Sequence, residues 1–181
     1  LWNREPRIGY LILEKMRNKE LISSSQIVES LFSVHGTKVP ALSELYADEV
    51  LDRILLRRNL GEGDEAEDES SDQKWNTFAQ SSMETLSRLV SDYNKEVGSG
   101  EKEAFDIKSS EKIACEDGTI SKKSTDLLWA VDQLLQLIEN KLKKDASRKD
   151  KLEIFRSALS ALEDEKIQQQ MKEFLSEFDE Y

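Results

Sequence analysis

The sequence predicts an all-α chain of about seven helices packed as antiparallel pairs. Two observations carry this. Apolar residues recur at spacings of three and four along most of the chain, which lays them on one side of a helix. The composition is also poor in helix breakers. The 181 residues include only 7 Gly and 2 Pro, with 35% charged and 38% hydrophobic residues. That mixture, rich in Leu, Glu, Lys and Ser, favours helices over sheets. No strict fixed period links the segments, so a tetratricopeptide or ankyrin array is not expected.

The first helix opens at Pro6, where a missing N–H costs nothing and the fixed φ is already helical. Ile8, Leu11, Ile12 and Met16 make its apolar face. Lys15, Arg17 and Lys19 sit near its C-terminal end, where cations complement the helix dipole. Ser23 to Ser25 offer an N-cap for a second helix, with Ile27, Val28, Leu31 and Phe32 on one face. The short connection predicts a helix hairpin, which needs neighbours to bury its faces. After a turn region at Val34 to Pro40, Ser43 caps a third helix. Leu42, Leu45, Tyr46, Val50, Leu51, Ile54 and Leu55 supply its face, and it ends near Arg57, Arg58 and Asn59.

Residues 61–72, GEGDEAEDESSD, hold seven acidic side chains and nothing large and apolar. They are expected to form an acidic flexible loop, because burial cannot offset their ordering entropy. The clearest amphipathic pattern runs from Gln73 to Val97: Trp75, Phe78, Ala79, Met83, Leu86, Leu89 or Val90, Tyr93 and Val97. Gly98 and Gly100 stop it. In 101–123, Phe105, Ile107, Ile113 and Ile120 are scattered among charges, which predicts a long, poorly structured connection. From Thr125 to Lys144, Leu127, Leu128, Val131, Leu135, Ile138 and Leu142 form one apolar stripe; Trp129, Ala130, Leu134 and Leu137 form a second. A helix apolar on two sides is expected at the centre of the domain. Ser147 caps a sixth helix with Leu152, Phe155, Ala158, Leu159 and Leu162. A last helix carries Ile167, Met171, Phe174, Leu175 and Phe178.

The residues give little support to catalysis. His35 is the only histidine and lies in a predicted turn without a second metal ligand near it. Cys115 precedes Glu116 and Asp117, whose charges disfavour a thiolate. Gly98-Ser99-Gly100-Glu101-Lys102 follows a helix rather than a strand and fails the phosphate-loop spacing. The acidic run lacks the alternating ligands and closing Glu of a calcium loop. No carboxylate sits in an apolar run that would raise its pKa for acid–base work. No catalytic, cofactor-binding or metal-binding residue is assigned, no cofactor is expected, and the chain is read as a non-enzyme; partner-binding residues are left unassigned.

A formal net charge of −11 argues against broad binding to nucleic acid or anionic membrane. The pairs Arg57-Arg58, Lys122-Lys123 and Lys143-Lys144 are too small for a nucleic-acid stripe. Trp75 and Trp129 lie inside helical periods and are expected in the core, whereas Trp2 is expected to pack on a preceding helix. No apolar run approaches the roughly 20 residues that span a bilayer. A single Cys permits no internal disulfide, which fits a reducing compartment. The chain begins at Leu1 rather than Met, and 1–181 is expected to be a single helical-repeat domain from the C-terminal part of a larger protein.

The opening stretch from Leu1 to Ser33 adds a resemblance. Trp2, Asn3 and Pro6, then Leu11-Ile12-Leu13-Glu14-Lys15-Met16, then Ile27, Val28, Leu31, Phe32 and Ser33 resemble the C-terminal domain of the nuclear cap-binding complex large subunit, of fungal type. That domain belongs to the helical-repeat class first described in the middle of translation initiation factor 4G. A charged insertion occurs in that family at a place comparable to 61–72. The resemblance implies a nuclear protein that also shuttles to the cytoplasm. It implies a small partner with an RNA-recognition fold, which grips the cap while the large subunit holds that partner's segments in place. Capped RNA would be contacted only indirectly, RNA-processing and export factors would dock on the scaffold, and no membrane would be involved. The alternatives are an unrelated helical scaffold or adaptor, and a helical GTPase activator using Arg53, Arg57 or Arg58 as a finger.

Overall fold

The computed structural model describes residues 6–17, 19, 21–32, 45–56, 70–97, 122–145 and 147–179. Among these there are seven α-helices: α1 Pro6–Arg17, α2 Ser24–Phe32, α3 Leu45–Leu55, α4 Ser71–Val97, α5 Lys122–Lys144, α6 Arg148–Ala158 and α7 Glu165–Ser176. A 3-10 turn, Leu159–Ala161, follows α6. The all-α prediction holds, with no strand among the described residues.

Local chemistry sets several helix starts. Ser23 and Gln26 form a reciprocal capping box. The Gln26 N–H donates to Ser23 Oγ at 3.1 Å, and the Ser23 N–H donates to Gln26 Oε1 at 2.9 Å. The Gln73 N–H donates to Ser70 Oγ at 3.2 Å. Ser70 therefore caps α4, and Ser71 and Asp72, read from the sequence as part of the acidic loop, form the first turn of the helix. Asp164 caps α7 by accepting from the Lys166 and Ile167 N–H groups at 2.8 and 3.3 Å. Ser147 stands at the start of α6, but its side chain caps nothing. Its own N–H instead donates to Asp145 Oδ1 at 2.7 Å. Helix α5 begins at Lys122 rather than Thr125, so residues 122–123 belong to it and not to a connection.

Helix α4 is the hub. It packs against α2, α3, α5, α6 and the 3-10 turn. The sequence placed α5 at the centre because of its two apolar stripes; α4 takes that place because its buried face meets neighbours on more sides. Trp75, Phe78, Ala79, Met83, Leu86, Leu89, Val90 and Tyr93 are all buried, and of the face read from the sequence only Val97, the last residue of the helix, is exposed. An aromatic cluster ties three helices at this hub. Phe78 of α4 meets Phe155 of α6 at 5.6 Å and Phe32 of α2 at 5.8 Å between ring centroids. Trp75 stands edge-on to Phe78 at 5.8 Å and to Phe155 at 6.5 Å. Edge-to-face rings at these separations add to the burial of their area.

Helices α5 and α6 are joined through residues 145–147 and pack on each other, and so do α6 and α7 across the 3-10 turn. Short links between packed helices enforce antiparallel pairs. The opening helices part company. The main neighbour of α1 is α3, whereas α2 lies on α4. The apolar face assigned to α1 is corrected accordingly. Leu11 and Ile12 are 47% and 39% exposed, and Leu13 is the side chain packed on the core. The turn of the helix toward α3 decides which of three consecutive apolar residues is covered.

Candidate interaction surface

Two lysines on buried helix faces organise the polar contacts between elements. Lys141 follows Ile138 by three residues, so the register of α5 carries it into the apolar stripe. Its side chain is fully buried. The ammonium is compensated by α3: it donates to Asp48 Oδ1, to Asp52 Oδ1 at 2.5 Å and to the Asp48 carbonyl oxygen at 3.1 Å. Lys144, one turn outward, donates to the other Asp52 oxygen at 2.8 Å. Partial burial pushes the Asp52 carboxyl up, but the hydrogen bonds from Lys141 and Lys144 outweigh it and hold the group below its ordinary value. The hydrogen bond to Asp52 raises the Lys144 ammonium in turn. These contacts fasten α3 to the end of α5.

Lys151 does the same between α6 and α4. It is buried and donates to Asp72 Oδ1 at 2.7 Å, with its Nζ 5.9 Å from the centre of the Trp75 ring. An outer clamp closes the C-terminal end. Arg156 gives two hydrogen bonds to the Asp179 carboxylate, at 2.7 and 2.6 Å, and pairs with Glu153 at 2.5 Å. The hydrogen bonds to Asp179 and Glu153 raise the guanidinium pKa. All of these charges are used within the fold. Sequence reasoning missed Lys141 and Lys151, although a visible signal existed, since a lysine at an apolar register position marks a buried ion pair. Their partners lie 79 to 93 residues away, and periodicity cannot find them.

The residues singled out from the sequence divide as follows. Trp75 is buried, as expected. Trp129 is not: it is 51% exposed, which corrects its assignment to the core. The second stripe of α5 is covered at Ala130, Leu134 and Leu137, but its edge at Trp129 turns to solvent. Lys143 pairs with Glu139 on its own helix, and Lys144 with Asp52. Arg53 pairs with Glu49 at 2.5 Å, one turn away on α3. Trp2, His35, Arg57, Arg58, Gly98 to Lys102, Cys115 and the acidic run 61–69 lie outside the described residues. Among the described residues, no group of three or more His, Cys, Asp or Glu side chains is placed to hold a metal. No described helix is long and apolar enough to cross a membrane. Among the described residues, the exposed large apolar side chains are Leu11, Ile12, Leu21, Val97 and Trp129.

That architecture agrees with comparison at the family level. The model of a family described as "MIF4G like" matches residues 1–180. The chain belongs to the MIF4G-like family. No curated protein and no solved structure matches it at a significant level. A MIF4G-like helical domain is a scaffold for protein and RNA interactions, and the features above suit that role. Cross-helix lysine–carboxylate links tie α3 to α5 and α4 to α6. A rigid helix array presents side chains at constant spacing, so a partner need not order the surface that it binds.

Proposed function

We infer that this MIF4G-like chain is the C-terminal helical-repeat domain of a nuclear cap-binding complex large subunit, of fungal type. The observation that carries the reading is the opening stretch, Leu1 to Ser33. It combines Trp2, Asn3 and Pro6 with the Leu11 to Met16 run and the Ile27-Val28…Leu31-Phe32-Ser33 close by which the chain resembles that family. The family match over residues 1–180 supports the fold that this reading needs.

On this reading the domain acts by binding and performs no chemistry of its own. A small partner with an RNA-recognition fold stacks the methylated guanosine. The large subunit holds that partner's segments in their binding-competent form. If the competent form is a minor population in the free partner, its apparent affinity for the cap is reduced by that fraction, and a scaffold that stabilises the form restores it. The domain contacts capped RNA only indirectly and offers its remaining surface to processing and export factors. Its place is the nucleus, with passage to the cytoplasm on exported transcripts.

The test is a pull-down of the full-length parent protein from its own cell extract on cap resin, with a methylated-guanosine cap analogue as eluant. Retention through a small RNA-recognition protein and release by the analogue are expected. A parent protein that never associates with cap resin overturns the reading and leaves a MIF4G-like scaffold or adaptor of another assembly.

A further inference from the structure

Trp129 lies on the solvent side of α5, half exposed, and makes no ring contact, ion contact or hydrogen bond with any described residue. The flanks of this indole distinguish it from an ordinary exposed apolar side chain. Asp126 is one turn before it and Asp132 one turn after, at the i±3 spacing that puts side chains side by side on a helix. Asp126 is exposed and has no partner among the described residues. Asp132 accepts from Gln136 Nε2 at 2.9 Å through one oxygen, which leaves the other oxygen open. Residues 125–133 contain no Lys or Arg, and Lys122 and Lys123 stand one turn before Asp126, on the side away from Trp129 along the helix. The ledge is therefore a π face between two carboxylates, of which Asp132 has no Lys or Arg three or four residues away on its helix.

The chemistry that fits such a ledge is narrow. An indole face attracts a cation, and a carboxylate beside it takes the N–H groups of the same cation. A guanidinium does both at once, because it is planar, stacks on an aromatic ring and keeps its in-plane donors free; an ammonium has no plane to stack. Nucleic acid can stack a base on tryptophan, but its phosphates would meet Asp126 and Asp132 on a chain of formal net charge −11. Like charges set against each other in this way discourage the wrong partner. We propose that Trp129, Asp126 and Asp132 form a docking ledge for an arginine-rich segment of a protein partner, with an arginine stacked on the Trp129 indole and paired with the flanking carboxylates. This ledge requires only the helical fold, so failure of the cap-resin test would leave it standing.

The experiment is calorimetric titration of the full chain, at low ionic strength, with three probes: a short arginine–glycine repeat peptide, the lysine–glycine peptide of equal length and charge, and an oligouridylate. The arginine peptide should bind about fivefold more tightly than the lysine peptide. Trp129→Ala and Trp129→Leu should each weaken the arginine peptide about tenfold, since leucine keeps apolar area but not the π face. Asp126→Asn should weaken it about threefold and reduce its salt dependence. Circular dichroism should match the parent for all three variants; the urea midpoint should match it for Asp126→Asn, an exposed position, and stay nearer to it for Trp129→Leu, which keeps apolar area at the half-covered site, than for Trp129→Ala. Equal binding of the two peptides, an arginine peptide that does not bind, or one indifferent to Trp129→Leu overturns the proposal. Tighter, Trp129-dependent binding of the oligouridylate also overturns it, in favour of base stacking.

Discussion

The link between α3 and α5 gives the sharpest test of how this domain is held together. In the double variant Asp48→Ala/Asp52→Ala, Lys141 keeps its place on the buried face of α5 but loses both carboxylates. Only the Asp48 carbonyl oxygen, at 3.1 Å, would remain to it. Lys144 is half exposed and returns to water at little cost. Stranding a buried charge in this way costs about 3–5 kcal/mol. With an m-value of about 2 kcal/mol per molar urea, the midpoint should fall by about 1.5–2.5 M. The companion variant adds Lys141→Met, which keeps the apolar stem of the side chain and removes the charge. It should recover most of the loss and come within about 1–2 kcal/mol of the parent, because a buried ion pair replaced by packed apolar atoms is often close to neutral. Lys141→Met alone should fall between the two. It leaves Asp48 and Asp52 with side chains 41% and 29% exposed, so both can hydrate, and Asp52 keeps Lys144. The assay is urea unfolding followed by far-ultraviolet circular dichroism. A double variant within about 1 kcal/mol of the parent, or a triple variant as unstable as the double, would falsify the assignment of Lys141 as a compensated buried cation.

Three further outcomes are expected. Phe155→Ala and Phe78→Ala each remove a fully buried ring from the α2–α4–α6 cluster and should each cost about 3–5 kcal/mol in the same assay; a cost near zero at both would show that the cluster is not the core. The folded-state pKa of Asp52 lies below its ordinary value of 3.8, so its contribution to stability is fully present above pH 3.8 and is lost as the pH falls through the lower folded value. Asp52→Asn should flatten the urea-midpoint profile in that acid range, and an unchanged profile would remove Asp52 from the network. Ser23→Ala breaks the capping box of α2 and should cost about 1 kcal/mol, whereas Ser147→Ala, whose side chain caps nothing, should shift the midpoint by less than half of that. Equal costs at the two serines would contradict the described caps.

Much of the fold was legible from the order of residues. The helix order was, and so were the buried faces of α4, α6 and α7. These follow from local register: apolar residues three and four apart must lie on one side of a helix, and the burial of Trp75, Phe78, Met83, Phe155 and Met171 follows that register. The Ser23–Gln26 box was half visible, because serines that favour an N-cap stand directly before the apolar run. The resemblance of Leu1 to Ser33 led to the fold class that the family match supports over residues 1–180.

Other features were decided only by which helix lies against which. Leu11, Ile12 and Leu13 are equally apolar, yet only Leu13 packs on the core, because α1 meets α3 along one line. Trp129 shares a stripe with Leu134 and Leu137 but falls beyond the arc that neighbouring helices cover. Lys141 and Lys151 sit at apolar positions in their own helices, and the carboxylates that make this tolerable stand on α3 and on the first turn of α4. Local sequence determines the direction of a helix's apolar face, because that depends on the turn of one backbone. The width of the covered arc, and the identity of the charge that meets a buried lysine, depend on segments dozens of residues away, and only the tertiary packing brings them together.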